Sequence, residues 1–379
     1  MKFSCTQENL TQGLSVVSHI AGKNVNLPIL ANVLVKIDDK IVRLLTTNLE
    51  VAVSVEIRGK VDATGEFSVP AKLFADFVSL VSGDRVDVEL VGDSFEVRGG
   101  KSRTKIKGLP ASEFPLVPQV SKDKSFRVPA ADFRRAASKV IFAVSANESR
   151  PEISGVLLRF EPQGPAGRLT MAATDSYRLA EVQIPLHESP GIEARSVIVP
   201  ARTLAEVLRI LSSFKDTSEL PATIELVLSE NQILFSYGPV EVVSRTIEGQ
   251  YPDYKAVIPE AVKTTVALPR DELIKAVRSA SLFSRSGLYD VHLSAGPGKL
   301  VVASADSQIG ENETELAAAV EGGENKITLN YRYVSDGLAA IEGGGVVMKI
   351  IDSANPCVLL PQEDVPGMKY LYIVMPIKQ

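Results

Sequence analysis

Cysteine and histidine are scarce in this chain. Its two cysteines, Cys5 and Cys357, lie far apart in strand-like runs. There they read as small buried hydrophobes rather than as a disulfide or a metal site. The three histidines, His19, His187 and His292, are scattered without ligand spacing, which argues against a metal centre. No apolar run approaches the roughly 18–20 residues needed to span a bilayer. Lys2 is followed by polar residues, not by the apolar stretch of a secretory leader. The expectation is a soluble cytoplasmic protein with no membrane partner.

Catalytic parts are missing as well. Gly343-Gly344-Gly345 lacks the following lysine and the strand–helix context of a phosphate loop, so it reads as a turn. No serine sits in a nucleophile-elbow pattern. Asp175 and Asp306 occupy equivalent places in a repeat, which suits a turn better than acid–base chemistry. The expected inventory is therefore no catalytic residue, no cofactor and no metal, and the broad class is a binding or scaffolding protein.

What the sequence does contain is repetition. In residues 195–212 a β-branched run, Val197-Ile198-Val199, meets Pro200, and Leu204, Val207, Leu208 and Leu211 follow at helical spacing. Proline suits the first turn of a helix, where its missing N–H costs nothing, and the four apolar residues then share one face. The cassette recurs at 66–81 with Phe74, Phe77, Val78 and Val81. At 125–144 it carries Phe133, Ala136, Ala137, Val140, Ile141 and Val144, and at 265–280 Leu273, Ala276, Val277 and Ala280. Copies without proline lie at 1–17, with Leu10, Leu14 and Val17, and at 326–341, with Val334, Leu338 and Ile341.

A block of alternating apolar and polar residues follows each cassette, as half-buried antiparallel strands require. Asp38-Asp39, Pro165-Ala166-Gly167 and Gly296-Pro297-Gly298 mark turns. Periodicity on this scale governs the whole reading. The period is about 120–140 residues, with polar or proline-bearing seams near 119–124 and 259–264. We expect an α+β fold of three domains, 1–120, 121–261 and 262–379, each with two helices packed on antiparallel sheets.

The formal charge of the 379-residue chain is -5, yet Lys and Arg collect on the non-core faces of the helices. Lys72 lies in the second helix, Arg134, Arg135 and Lys139 in the third, and Arg202 and Arg209 in the fourth. Lys275, Arg278 and Arg285 belong to the fifth, and Arg332 to the last. Positive charge segregated onto one set of elements is a footprint of phosphate contact. Without a base-reading motif, such contact is sequence-independent and salt-sensitive.

Motifs distributed along the chain sharpen this. They are Met1-Lys2-Phe3, Leu27-Pro28-Ile29-Leu30, 173–180 (ATDSYRLA), Ser196-Val197-Ile198-Val199-Pro200, Tyr251-Pro252-Asp253-Tyr254 and Tyr372-Ile373-Val374-Met375-Pro376-Ile377. In this order, on a threefold repeat, the chain resembles the bacterial sliding clamps, the beta subunits of DNA polymerase III, over essentially its whole length.

The resemblance implies a three-domain clamp fold and a head-to-tail homodimer closed into a ring around duplex DNA, a heterologous interface whose rotation must close. It implies a non-catalytic subunit that tethers the replicative polymerase alpha subunit, a clamp loader and other proteins with a clamp-binding motif. It further implies a peptide groove made by Ile153, Thr174, Ser176, Tyr177, Arg178, Leu179, Pro252, Val257, Val374, Met375, Pro376 and Ile377. Lys23, Arg103, Arg150 and Arg202 match basic positions of the family. Three departures are Lys23-Asn24 where the family usually offers arginine, Asn48 where aspartate is common, and the closing Lys378-Gln379. The alternative reading is a repeat-built adaptor that binds proteins through its sheets and never encircles DNA.

Overall fold

The computed structural model describes residues 1–22, 27–38, 40–117, 120, 125–147, 149–161, 167–187, 193–214 and 221–378. Lys23, Asn24 and Gln379 lie outside that set, as do Asp39, Pro165, Ala166 and most of the 119–124 seam.

The chain begins with β1 (Lys2–Thr6), α1 (Gln7–Val17), β2 (Asn32–Asp38), β3 (Ile41–Thr47), β4 (Val51–Ile57), β5 (Lys60–Ala63), β6 (Gly65–Pro70) and α2 (Ala71–Leu80). It continues with β7 (Arg85–Val91), β8 (Ser94–Gly99), β9 (Ser102–Lys107) and β10 (Leu109–Pro110). The next run is β11 (Ser125–Pro129), α3 (Ala130–Ser138), β12 (Gly155–Glu161), β13 (Arg168–Thr174), β14 (Arg178–Pro185), β15 (Arg195–Pro200) and α4 (Ala201–Ser213). Then come β16 (Thr223–Leu228), β17 (Gln232–Tyr237) and β18 (Val240–Arg245). The last run is β19 (Thr264–Pro269), α5 (Arg270–Ser281), β20 (Asp290–Gly296), β21 (Lys299–Asp306), β22 (Gly310–Ala317), β23 (Ala319–Gly322), β24 (Asn325–Asn330), α6 (Tyr331–Ala340), β25 (Gly345–Ile350), β26 (Cys357–Pro361) and β27 (Lys369–Val374).

Two compact units result. One holds 1–130 and 206–246, the other 131–205 and 247–379. The first contains a five-stranded sheet, β5-β1-β7-β8-β9, and a nine-stranded sheet, β10-β6-β2-β3-β4-β18-β17-β16-β11. The second contains a nine-stranded sheet, β15-β12-β13-β14-β27-β26-β25-β19-β23, and a four-stranded sheet, β22-β21-β20-β24. Every pairing is antiparallel.

The cassettes fold as their spacing predicts. Leu10, Leu14 and Val17 of α1, Phe74 and Val78 of α2, Leu273, Ala276, Val277 and Ala280 of α5, and Val334 and Leu338 of α6 are buried. Two details differ. In α4 the buried set is Leu204, Val207, Ile210 and Leu211, with Leu208 only partly covered, because Glu206 is also turned inward. And α3 stops at Ser138 rather than running to Val144. Lys139 N and Val140 N donate to Ala136 O and Ala137 O, tightening the last turn, and a short 3-10 turn follows at Ile141–Ala143. β-Branched Val140-Ile141 and an inward Lys139 favour that break. Cys5 and Cys357 are free and buried, and burial pushes both thiols up to about 12, which keeps them inert.

Candidate functional site

The helix faces come first. Lys72, Arg134, Lys275 and Arg278 are exposed and carry no ion pair among the described residues; Arg202 is exposed too. Asp271 and Glu272 share the surface of α5, but in its first turn, where the helix dipole favours acid. The face of α1 carries no lysine or arginine.

Other predicted contacts are spent elsewhere. Arg209 donates from Nη2 to Val16 O at 2.7 Å and from Nη1 to Ser15 O at 3.2 Å, satisfying carbonyls at the end of α1. The buried Glu206 fixes the same guanidinium at 2.6 Å and accepts His19 Nδ1 at 2.7 Å. Lys139 is only 4% exposed. Its Nζ lies 2.9 Å from Glu342 Oε1, donates to Ala340 O, and sits 5.2 Å from the centre of the Tyr370 ring. Arg135 binds the same Glu342, and Arg270 donates to Ile341 O at 2.6 Å. Three cations thus close the C-terminal end of α6, where carbonyls lack partners and the dipole is negative. Arg135, Lys139 and Arg209 all act as helix-end clasps, and the buried Lys139 cannot present its amine as the DNA-facing residue the sequence reading expected, whereas Arg135 and Arg209 keep partial exposure.

Burial, with repulsion from Arg135 and Arg270, pushes the Lys139 amine down to about 8. Its folded value lies below its unfolded one, so between the two the unfolded chain holds more protons and stability rises with pH. In urea unfolding, the wild type should gain about 1–2 kcal/mol on a Lys139→Met variant between pH 7 and pH 9.5. A difference independent of pH would mean the amine is not penalised by its site.

The β8–β9 hairpin holds Arg103. Glu96, though nearly buried, receives Arg98, Lys105 and Arg103 at 3.0, 3.0 and 2.6 Å. These three hold its carboxyl down at about 2. Arg103 and Lys105 therefore stand preorganised along β9, an edge strand. The opposite charge lines another edge: Glu311, Glu313 and Glu315 all face solvent on β22. The alternating patterns Arg103-x-Lys105-x-Lys107 and Glu311-x-Glu313-x-Glu315 were visible in the sequence, but only as solvated strand faces.

The residues expected to line a groove all belong to the second unit. Asp175 Oδ1 accepts Tyr177 N and Arg178 N at 2.9 and 3.0 Å, and Thr174 Oγ1 accepts Ser176 N and donates to Arg178 O. This turn places Ser176 in the left-handed region, φ 78°, and leaves Tyr177 64% exposed. Across the ladder Arg178 faces Val374 and Leu179 faces Ile373, and Met375 N donates to Tyr177 O at 2.8 Å. Leu179, Ile373 and Tyr254 belong to one buried cluster, with Tyr251 and Ile258 against it. Ile153, Leu179 and Val374 are buried, so they can serve only as floor. Thr174, Ser176, Tyr177, Pro252, Val257, Met375, Pro376 and Ile377 retain accessible surface. Arg150 belongs here rather than on a helix face: its Nη1 donates to Ser176 Oγ at 3.1 Å, and Glu152 holds its Nε.

Comparison with known proteins settles what this architecture is. Models of the N-terminal, central and C-terminal domains of the DNA polymerase III beta subunit match residues 1–118, 127–253 and 255–378. The beta sliding clamp of Synechocystis sp. is 30% identical over 100% of this chain and 99% of its own. That of Staphylococcus aureus is 29% identical over 96% of each. The chain belongs to the bacterial beta sliding clamps. Among solved structures, the Bacillus subtilis clamp superposes with a TM-score of 0.92 at 25% identity, covering 100% of this chain and 99% of that one. The Pseudomonas aeruginosa clamp bound to griselimycin gives 0.91 at 26% identity, with full coverage of both. Beta clamps are non-catalytic subunits of the polymerase.

The Asn48 departure leaves the clamp turn intact. Asn48 Oδ1 accepts Glu50 N and Val51 N at 3.0 and 2.8 Å, as Asp175 does in its own turn. Asp306 likewise accepts Gln308 N at 2.8 Å, in keeping with its reading as a turn residue. Sequence reasoning missed Asp336, Tyr333, Phe142 and Glu342, which carry no motif and acquire their roles through tertiary contact.

Proposed function

We propose that this clamp closes as a head-to-tail homodimer around duplex DNA and tethers the replicative polymerase, holding it by topology rather than by tight phosphate contact. The carrying observation is the pattern of strand edges. Inside the chain, β2-β3-β4 meets β18-β17-β16, and β12-β13-β14 meets β27-β26-β25. The same pattern is left incomplete twice, at β20-β21-β22 and at β9-β8-β7. Joining β22 of one copy to β9 of another makes a third nine-stranded sheet, and two such joints close a ring of two chains.

The internal joints also give the register. Across the turns, Thr47 pairs Ala52, Thr174 pairs Leu179 and Ala305 pairs Glu311. Ala52 and Leu179 then face Val243 and Ile373 across the joints. Counted from its hairpin, β9 carries Lys105 at that place. Glu311 therefore meets Lys105 of the second copy, and Glu313, two residues on, meets its Arg103. Helix α2 fits the same scheme: Leu80 is 83% exposed where the equivalent Ile210 of α4 is 2% exposed.

In this reading the domains run 1–120, 121–261 and 262–379, supported by the spans of the three family models. Lys72, Arg134, Arg202, Lys275 and Arg278 face the DNA, with Lys23 carried on the family resemblance alone. Arg103 acts at the ring joint and Arg150 at the groove. The groove takes the apolar end of a short motif from the polymerase alpha subunit, the clamp loader or other partners, and methionine at its wall accommodates several of them. Tethering raises the local concentration of polymerase at the primer end. No helix among the described residues is long and apolar enough to cross a membrane, and we place the clamp in the cytoplasm.

The test is linearisation. Clamp loaded onto nicked circular DNA by a loader with ATP should remain on the circle through gel filtration and be lost once the circle is cut. Equal retention on both forms would mean adhesive binding, and the topological mechanism would be wrong.

A further inference from the structure

We propose that Asp336, an α6 residue that is not part of the groove, is a positioning residue for partner binding. This rests on the groove reading above. Each nitrogen of the Arg178 guanidinium is engaged. Its Nε donates to Asp175 Oδ2 at 2.9 Å, Nη1 to Asp336 Oδ2 and Nη2 to Phe142 O at 2.8 Å. It also lies 4.7 Å from the centre of the Tyr333 ring and 5.5 Å from that of Phe142. Its orientation is therefore set by the protein, whatever its two remaining N–H groups donate to. It acts as a tie between α6, the 3-10 turn at Ile141–Ala143 and the Asp175 turn.

The tie is not needed to make the turn. The β3–β4 turn has the same geometry, with Leu49 at φ 77° against 78° for Ser176, and the same threonine and side-chain acceptor bonds. Yet the residue in the place of Arg178 is Val51. The arginine is an addition to a turn that folds without it. What distinguishes the second turn is its cargo: Ser176 and the exposed Tyr177, hydrogen-bonded to Met375. Both walls of the groove hang on this tip. Asp336 is the only carboxylate on α6, and with the Phe142 carbonyl it anchors Arg178. Through Asp175, Arg178 then sets the direction of Tyr177. A charge-assisted bond of this kind fixes geometry as well as adding energy.

The experiment uses the full-length clamp and griselimycin, the compound bound to the P. aeruginosa clamp. Affinity is measured by calorimetry for the wild type, Asp336→Ala, Asp336→Glu, Tyr177→Ala and Met375→Ala. Asp336→Ala should weaken binding about tenfold, with Tm no more than about 4 °C below the wild type, because the carboxylate is half exposed and the largely buried Arg178 keeps Asp175 and the Phe142 carbonyl. Asp336→Glu should return affinity to within about threefold. Equal affinity for wild type and Asp336→Ala overturns the positioning role. So does a loss in Asp336→Ala that tracks a Tm fall of more than about 5 °C and is not recovered by Asp336→Glu. No binding to the wild type, or binding indifferent to Tyr177→Ala and Met375→Ala, sinks the groove reading instead.

Discussion

Replacing Glu311 and Glu313 by lysine splits the ring into monomers. Both side chains are exposed on the edge strand β22, where neither has a packing role within its own chain. The double variant should therefore still fold, with Tm lowered only by what the lost dimer contributed. In the proposed register, however, the new lysines stand directly opposite Lys105 and Arg103 of the second copy, and those are held forward by Glu96. Each matched cross-strand pair is worth about 0.2–1 kcal/mol, and like charges brought face to face at an interface cost several kcal/mol. Together they should raise the dimer dissociation constant at least about a hundredfold, and loading onto circular DNA should fail with it. Sedimentation equilibrium at low salt gives the answer directly. Rising salt should narrow the difference, since the strand edges are solvent-facing until paired. Glu315→Lys alone should do less, because Glu315 is already paired with Lys299 at 2.6 Å. A double variant that remains dimeric at low salt would mean that β22 is not the ring-closing edge.

The parts of this molecule legible in its sequence are those written by short-range pattern. Apolar residues at helical spacing located α1, α2, α5 and α6, and alternation located the strands. Asp175 and Asp306 were readable as turn residues because they hold equivalent places in the repeat, and a carboxylate that accepts from a backbone N–H two residues on is a local device. Basic residues were another matter. Arg134 and Arg135 are neighbours in one helix, yet one faces solvent and the other binds Glu342, more than two hundred residues away in sequence. Lys139 looks like an exposed face residue until the helix breaks beneath it and turns it inward. Charge count alone cannot separate a phosphate contact from a helix-end clasp, because each asks for a long cation on a non-core face. The groove was legible only as a resemblance. In the proposed groove the walls are a hairpin tip and the terminal strand, and the residues that bond Arg178 behind them, Asp336 and Phe142, have no spacing relation to either.

Gly337→Ala, a substitution that usually stabilises a helix by about 0.5–1 kcal/mol, should here be among the most damaging single changes. A Cβ at position 337 would lie 2.2 Å from both Cδ1 and Cε1 of Tyr372. That ring is fully buried, its hydroxyl donates to Tyr333 O at 2.9 Å, and the Phe142 ring packs 5.7 Å away. Held by that hydrogen bond and buried throughout, the ring resists swinging aside, so the new Cβ presses β27 and α6 apart. The cassette itself does not demand glycine at this place: α4 carries Val207 there and α2 carries Phe77. The strand residues in the place of Tyr372 are correspondingly smaller, Val242 on β18 and Thr104 on β9. Helix and strand thus exchange bulk from one repeat to the next, and the third repeat gives all of it to the strand. Overpacking of this kind costs about 1–3 kcal/mol beyond the helix-propensity gain, which for a unit of this size lowers Tm by about 2–12 °C. Adding Tyr372→Leu should recover part of that loss, because the two positions share one contact and their effects cannot be additive. Since Tyr372 precedes Ile373 and Val374 on the strand of the proposed groove, Gly337→Ala should also weaken binding there, whereas Asp336→Ala should weaken it with much less loss of stability. A Tm that rises in Gly337→Ala, as propensity alone would have it, would mean that the Tyr372 ring yields and the exchange of bulk is not a packing constraint.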